Sequence, residues 1–152
     1  MAANRLTFKA TMAQISVPAT SANLGPGFDS LGLALELRDR YAAIILDTPD
    51  FDVDVSGEGA DEVKKDKNNL VIKAMMRGFE FMGGRPRGIA LRALNEIPHG
   101  RGLGSSAAAI VGGLSSDSDH PAIKGALIAG GINALLTTAL IAGYNESQAL
   151  NT

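Results

Sequence analysis

The sequence predicts an α+β domain, a two-layer α/β sandwich with helices packed on a largely antiparallel or mixed sheet. Three observations predict it. Runs with the period-two pattern of strands fill the first half of the chain. One stretch with three-and-four apolar spacing separates them from a last strand-like run. A glycine-rich loop then hands that run over to a segment of small residues that reads as a helix. The 152 residues suit one domain, and 45% hydrophobic with 20% charged residues is a globular composition long enough to bury a core.

Residues 1–13 are basic and free of acids, and read as a flexible extension. Gln14 to Val17 alternates polar and apolar before Pro18, the mark of a short first strand. Ala19 to Ser30 is so rich in turn formers that a loop is expected. Leu31–Leu37 and Tyr41–Thr48 read as two strands, and Phe51, Val53 and Val55 alternate with Asp52, Asp54 and Ser56 in a third, half-exposed one. A charged connection covers Gly57 to Lys67. Between Asn69 and Met82 apolar residues fall at Leu70, Val71, Ala74, Met75, Phe79 and Met82, which predicts an amphipathic helix capped by Asn68 or Asn69 and ended by Gly83-Gly84. Ile89, Leu91 and Ala93 alternate with Ala90, Arg92 and Leu94 as the strand that leads into the glycine loop.

After Leu114 the character changes. Ser115 to Pro121 reads as a polar linker, and Gly125 to Asn145 carries no charge. That run has the length of a membrane span, but Gly130-Gly131 interrupts it and Asn133, Thr137 and Thr138 are polar, so two short core helices are the expectation. A net charge of −2 and a pI near 5.6 show no footprint of a nucleic-acid or anionic-membrane partner. Cysteine is absent, which removes disulfides and thiol chemistry and fits a reducing compartment. His99 and His120 are too few and too far apart for a zinc site.

Two loops carry the candidate chemistry. In Pro98-His99-Gly100-Arg101-Gly102-Leu103-Gly104-Ser105-Ser106-Ala107-Ala108, glycines permit tight turns, and a helix N-terminus follows. Unpaired N–H groups and a positive dipole end there suit a phosphate, although a plain Gly-Ser loop accounts for the same residues. Ser105 and Ser106 are able to cap the helix or to touch a magnesium ion held on phosphates. Arg101 and His99 either add positive charge or are simply solvated. Asn23 and Asp29, in the earlier loop, suit the ammonium and hydroxyl of a small polar substrate, or else bond their own turn backbone.

Pro98 with Gly102-Leu103-Gly104-Ser105-Ser106-Ala107-Ala108 resembles the phosphate-binding signature of the GHMP kinases, those for galactose, homoserine, mevalonate and phosphomevalonate. Pro18-Ala19-Thr20-Ser21-Ala22-Asn23-Leu24-Gly25-Pro26-Gly27-Phe28-Asp29-Ser30-Leu31-Gly32 is similar, almost residue for residue, to the N-terminal motif of the homoserine kinases, and Asn69-Leu70-Val71 and Ile97-Pro98 sit where that family has them. The resemblance implies a ribosomal protein S5 domain 2-like fold and a cytoplasmic, ATP- and Mg²⁺-dependent kinase that phosphorylates L-homoserine in threonine biosynthesis. It further implies that Asn23 and Asp29 hold homoserine, that Pro98 to Ala108 wrap the ATP phosphates, that Asn69 lies near the adenine and that Ser106 touches Mg²⁺.

The family's metal-binding glutamate segment has only a faint echo, in Asp119-His120-Pro121, and no metal role transfers to it. Residues 14–114 then correspond to the ATP-binding domain and 115–131 to an insertion. Residues 132–152 would complete that domain, with the family's C-terminal domain absent. Two other readings stay open. One is a GHMP kinase for another alcohol, such as mevalonate or shikimate. The other is a non-catalytic nucleotide- or partner-binding module that forms a homodimer through the apolar 122–142 stretch.

Overall fold

A computed structural model describes residues 12–22, 24–25, 32–81 and 84–115. Its elements are β1 (Met12–Ala22), β2 (Gly32–Leu46), β3 (Phe51–Gly57), α1 (Leu70–Phe81), β4 (Gly88–Asn95) and α2 (Ser105–Ser115). They build the expected α+β arrangement, with a mixed four-stranded sheet in the order β1-β2-β4-β3. β1 runs antiparallel to β2, and β2 antiparallel to β4, while β3 and β4 are parallel neighbours joined through α1.

Two sequence expectations need correction. β1 is not confined to Gln14–Val17: it starts at Met12, inside the supposed extension, and continues through Pro18 to Ala22, well into the supposed loop. Turn-forming residues persist there because β1 is an edge strand, which tolerates a proline lacking its N–H, and because a bulge between Pro18 and Thr20 absorbs the irregularity. The two strands expected at 31–48 are one, β2, whose charged middle (Arg38, Asp39, Arg40) is part of the ladder to β1. The remaining elements fall within a residue or two of their expected bounds. Ser115, expected at the start of the polar linker, belongs to α2 and is buried. The other expectations for 1–11, 23, 26–31, 82–83 and 116–152, among them the linker, the uncharged run and its dimer role, lie outside the described residues. No helix among the described residues is long and apolar enough to cross a membrane.

Side-chain parity places the core. Val17, Ala19, Tyr41, Ala43, Val53, Val55, Ile89, Leu91 and Ala93 form one buried cluster with Val71, Ile72, Met75, Met76 and Phe79 of α1 and with Ala108 and Val111 of α2. Burying each large apolar side chain here contributes on the order of 2 kcal/mol. The other sheet face is charged: Arg92 pairs with Asp52 at 2.7 Å and reaches Asp54 at 3.9 Å.

α1 begins where the Asn69 side chain caps it, its Oδ1 accepting the Val71 N–H at 2.9 Å. It ends where the Gly84 N–H donates back to the Phe79 carbonyl at 3.0 Å, a C-terminal wrap. α2 approaches its neighbours closely because two glycines face them. A Cβ on Gly112 would run into the Tyr41 ring, and one on Gly113 would lie 2.6 Å from the Val71 carbonyl oxygen. We expect Gly113→Ala to push α2 off α1 and to cost about 1–3 kcal/mol. Urea denaturation checks this as a lower midpoint at unchanged slope.

Candidate functional site

A cleft of about 360 Å³ opens where the N-terminal ends of α1 and α2 converge on the sheet. Lys64, Asn68 and Asn69 form one wall, and His99, Gly100, Ser105 and Ser106 form the other. Asp39, Tyr41 and Asn95 belong to its floor on β2 and β4. Neither helix carries an acidic residue in its first turn, and both positive dipole ends border the cleft. The chemistry this favours is the binding of an anion.

The glycine loop supplies the second ingredient. Gly100, Gly102 and Gly104 have φ of 67°, 72° and 74°, alternating with ordinary residues. Left-handed residues of this kind are what an anion-holding nest of successive N–H groups requires. A Cβ on Gly100 or Gly102 would meet nothing within 4 Å, so the backbone there is open to a ligand. Gly104 differs. A Cβ on it would lie 2.7 Å from Thr20 Oγ1 and 3.0 Å from the Thr20 carbonyl oxygen. The Thr20 N–H also donates to the Leu103 carbonyl at 3.0 Å, which bonds β1 to the end of the loop.

The α2 cap falls on Gly104, whose carbonyl accepts the Ala108 N–H at 2.8 Å, and not on a serine hydroxyl. Ser105 and Ser106 occupy the first turn and line the cleft. Of the other loop residues, Leu103 packs against the core and Ala108 is buried within it, so both serve the fold. Arg101 and Gly102 are exposed, Pro98 and Ala107 are half-buried, and all four lie outside the cleft lining. The His99 ring packs over Gly59, with Nδ1 3.8 Å from Glu62 Oε2, and ties the loop to the β3–α1 connection.

Asn69 lines the cleft, and its side chain is engaged in the fold. Besides capping α1, its Nδ2 donates to the Lys64 carbonyl at 2.8 Å. The turn before it is set by Asp66, whose carboxylate accepts the Asn68 N–H at 2.7 Å, and that bond holds the Asp66 carboxyl below its ordinary range. Asn23 and Asp29 lie outside the described residues. Among the described residues no three His, Asp or Glu side chains converge on a metal position. A Mg²⁺ ion carried by phosphates would find the Ser106 hydroxyl at the cleft edge, a donor of the hard oxygen type it takes.

The sequence reading missed Lys64, Tyr41 and Asp39. Asp39 is 1% exposed, and its Oδ1 accepts the N–H groups of Glu96 at 2.8 Å and Ile97 at 2.9 Å. Oδ2 accepts the Tyr41 hydroxyl at 3.0 Å. The β2–β4 register ends at Arg40 opposite Leu94, so the next amides of β4 pass beyond the backbone ladder and the carboxylate takes them over. Leaving a buried amide unpaired costs about 1–3 kcal/mol. The signal was present in the sequence: Asp39 occupies the inward parity of β2, between Leu37 and Tyr41. Burial, and then the facing Asp39 carboxylate, push the Tyr41 phenol well above its ordinary value, so it stays protonated and donates.

Two outcomes follow for stability. Gly104→Ala lowers the melting temperature more than Gly102→Ala, because both strain the left-handed backbone but only the first collides with Thr20. Thermal denaturation of the two variants checks it. Tyr41 keeps its proton in the folded chain where the unfolded chain releases it. Its contribution is therefore whole below about pH 10 and shrinks above that by up to about 1.4 kcal/mol per pH unit. Urea midpoints between pH 9 and 11 fall less steeply in Tyr41→Phe.

Residues 69–118 match the GHMP kinases N terminal domain. The chain is 47% identical over 107 residues to a homoserine kinase of Streptomyces coelicolor, a match that covers 70% of this chain and 34% of the relative. A solved homoserine kinase from Cytophaga hutchinsonii superposes with a TM-score of 0.59 at 30% identity, covering 72% of this chain and 35% of that one. The mevalonate kinase of Methanococcus jannaschii, at 16% identity and a TM-score of 0.52 over 72% of this chain and 40% of its own, shares the fold. The chain thus spans about a third of the length of the relatives it matches. Over that shared portion it is similar to the N-terminal domain of the GHMP kinases, and among them to the homoserine kinases.

Proposed function

We propose that this chain forms the ATP- and homoserine-binding portion of a cytoplasmic kinase. The enzyme transfers the γ-phosphoryl group of ATP to the side-chain hydroxyl of L-homoserine, in threonine biosynthesis. The single observation that carries the reading is the left-handed glycine loop at the head of α2, opening on a cleft toward which α1 also points its N-terminus. Two helix ends and a backbone nest are the equipment of a polyphosphate site. Relatives named homoserine kinase supply the substrate.

In this reading the amides around Gly100, Gly102 and the first turn of α2 hold the phosphates, and Lys64 adds positive charge at the opposite wall. The cleft beside Asn68 and Asn69 takes the base. Asn23 and Asp29 hold the amino acid. The homoserine oxygen forms a bond to the γ-phosphorus while the bond from that phosphorus to the β,γ-bridging oxygen breaks. ADP leaves, and the hydroxyl proton is released to solvent. A Mg²⁺ ion would neutralise phosphate charge, and the Ser106 hydroxyl would help to hold it. The chain's own contribution is to position the reactants and to stabilise charge, as phosphoryl transfer requires.

Calorimetry with MgATP tests the reading. Binding by the 152-residue chain is expected, with Gly102→Ala weakening it about tenfold while the fold persists, since a lost or displaced backbone contact to a charged group is worth about 1.5–3 kcal/mol. Unchanged affinity in that variant, or no binding by the parent, overturns it. With MgATP present, homoserine and not mevalonate is expected to raise the melting temperature further, which separates the two substrate classes.

A further inference from the structure

The geometry points to Asp39 as a positioning residue of the nucleotide site, an inference that rests on the proposed ATP binding. The carboxylate is buried, and its hydrogen bonds come from two amides and a phenol, with no cation among those donors. A buried carboxylate in an apolar layer is a poor way to gain stability, because desolvation of its charge offsets most of what its bonds return. Its bonds serve placement instead. They fix the amides of Glu96 and Ile97, the last residues before the Pro98–Gly104 loop, at the point where β4 parts from β2. The other end of the loop is fixed by the Thr20 bond to Leu103. Only residues 98–102 lie between these two anchors, and Gly100 and Gly102 are among them.

The loop therefore takes its position from two neighbouring strands and not from its own composition. Tyr41 keeps the carboxylate in register by donating to Oδ2, and its ring is itself fixed by the close passage of Gly112. Asp39 is placed to act on phosphate through the backbone of the loop. A change there should alter binding of the triphosphate far more than binding of the nucleoside.

The experiment compares Asp39→Ala, Asp39→Asn and the parent chain by calorimetry with MgATP and with adenosine, and by amide hydrogen exchange without nucleotide. Asp39→Ala is expected to lose at least tenfold in MgATP affinity with adenosine affinity changed less than threefold. Amides of Glu96, Ile97 and the loop should exchange at least tenfold faster, while those of β3 stay protected. Asp39→Asn retains an oxygen that accepts both amides and should restore MgATP affinity to within about threefold. Unchanged MgATP affinity in Asp39→Ala, an equal loss for both ligands, or no rescue by Asp39→Asn overturns the inference.

Should the parent bind no MgATP, the proposed function falls by itself. Exchange at Glu96, Ile97 and the loop then decides whether Asp39 sets the loop, and unchanged exchange there refutes it. If Asp39→Ala does not fold, Tyr41→Phe replaces it. Faster exchange confined to residues 96–104 with MgATP affinity lowered severalfold supports the inference, and unaltered exchange overturns it.

Discussion

The structure depends on how β4 leaves the sheet. β4 is bonded on both sides, antiparallel to β2 and parallel to β3, so its register fixes both halves of the sheet at once. A central strand cannot simply stop, because its next amides would be buried without partners. Here the Asp39 carboxylate replaces the backbone ladder for two amides, and the chain then enters a run of left-handed glycines and the first turn of α2. Everything in the cleft takes its place from that handover. On the exposed face the Arg40–Glu96 pair spans the same junction, and solvent screening leaves it a minor contributor.

The cleft combines backbone dipoles with few formal charges, the buried Asp39 carboxylate on its floor and Lys64 on its wall among them. Backbone dipoles from two helices and a nest are aimed at one volume, and their direction is fixed by the fold itself. α1 owes its place to the Asn69 cap and the Asp66 turn, and α2 owes its place to Gly112 and Gly113, which bring it against Tyr41 and α1. Preorganised donors of this sort do not have to reorient when a charged ligand arrives. An overall charge of −2 does not decide the matter, because a local field and not the net charge governs what a cleft attracts.

Much of this was legible in the sequence, for reasons that differ by element. β3, α1 and β4 follow from periodicity because each has one buried face and one wet face, and Asn69 and Gly84 punctuate α1 as their chemistry demands. The long β1 was hidden because Pro18, Thr20 and Ser21 are turn formers in isolation, and only an edge position with a bulge accommodates them. β2 looked like two strands because Arg38-Asp39-Arg40 interrupts its apolar run, and Asp39 faces inward only because β4 needs its carboxylate. The glycine loop was readable as a phosphate candidate. That Gly104 is there to clear Thr20, whereas Gly100 and Gly102 leave space for a ligand, is a matter of tertiary proximity that no local pattern encodes.

The strand order has a consequence for how the domain assembles. β1 pairs with its sequence neighbour β2, whereas β3 and β4 pair in parallel across the whole of α1 and its connections. The β2–β4 seam joins the strands across a comparable stretch of chain, so the two pairings of β4 carry most of the loop-closure entropy of the sheet. The Asp39 junction and the Thr20–Leu103 bond both need that seam in place, so the glycine loop acquires its shape only when the whole sheet exists. A phosphate ligand would select fully assembled molecules and, by mass action, protect them from reopening along the seam.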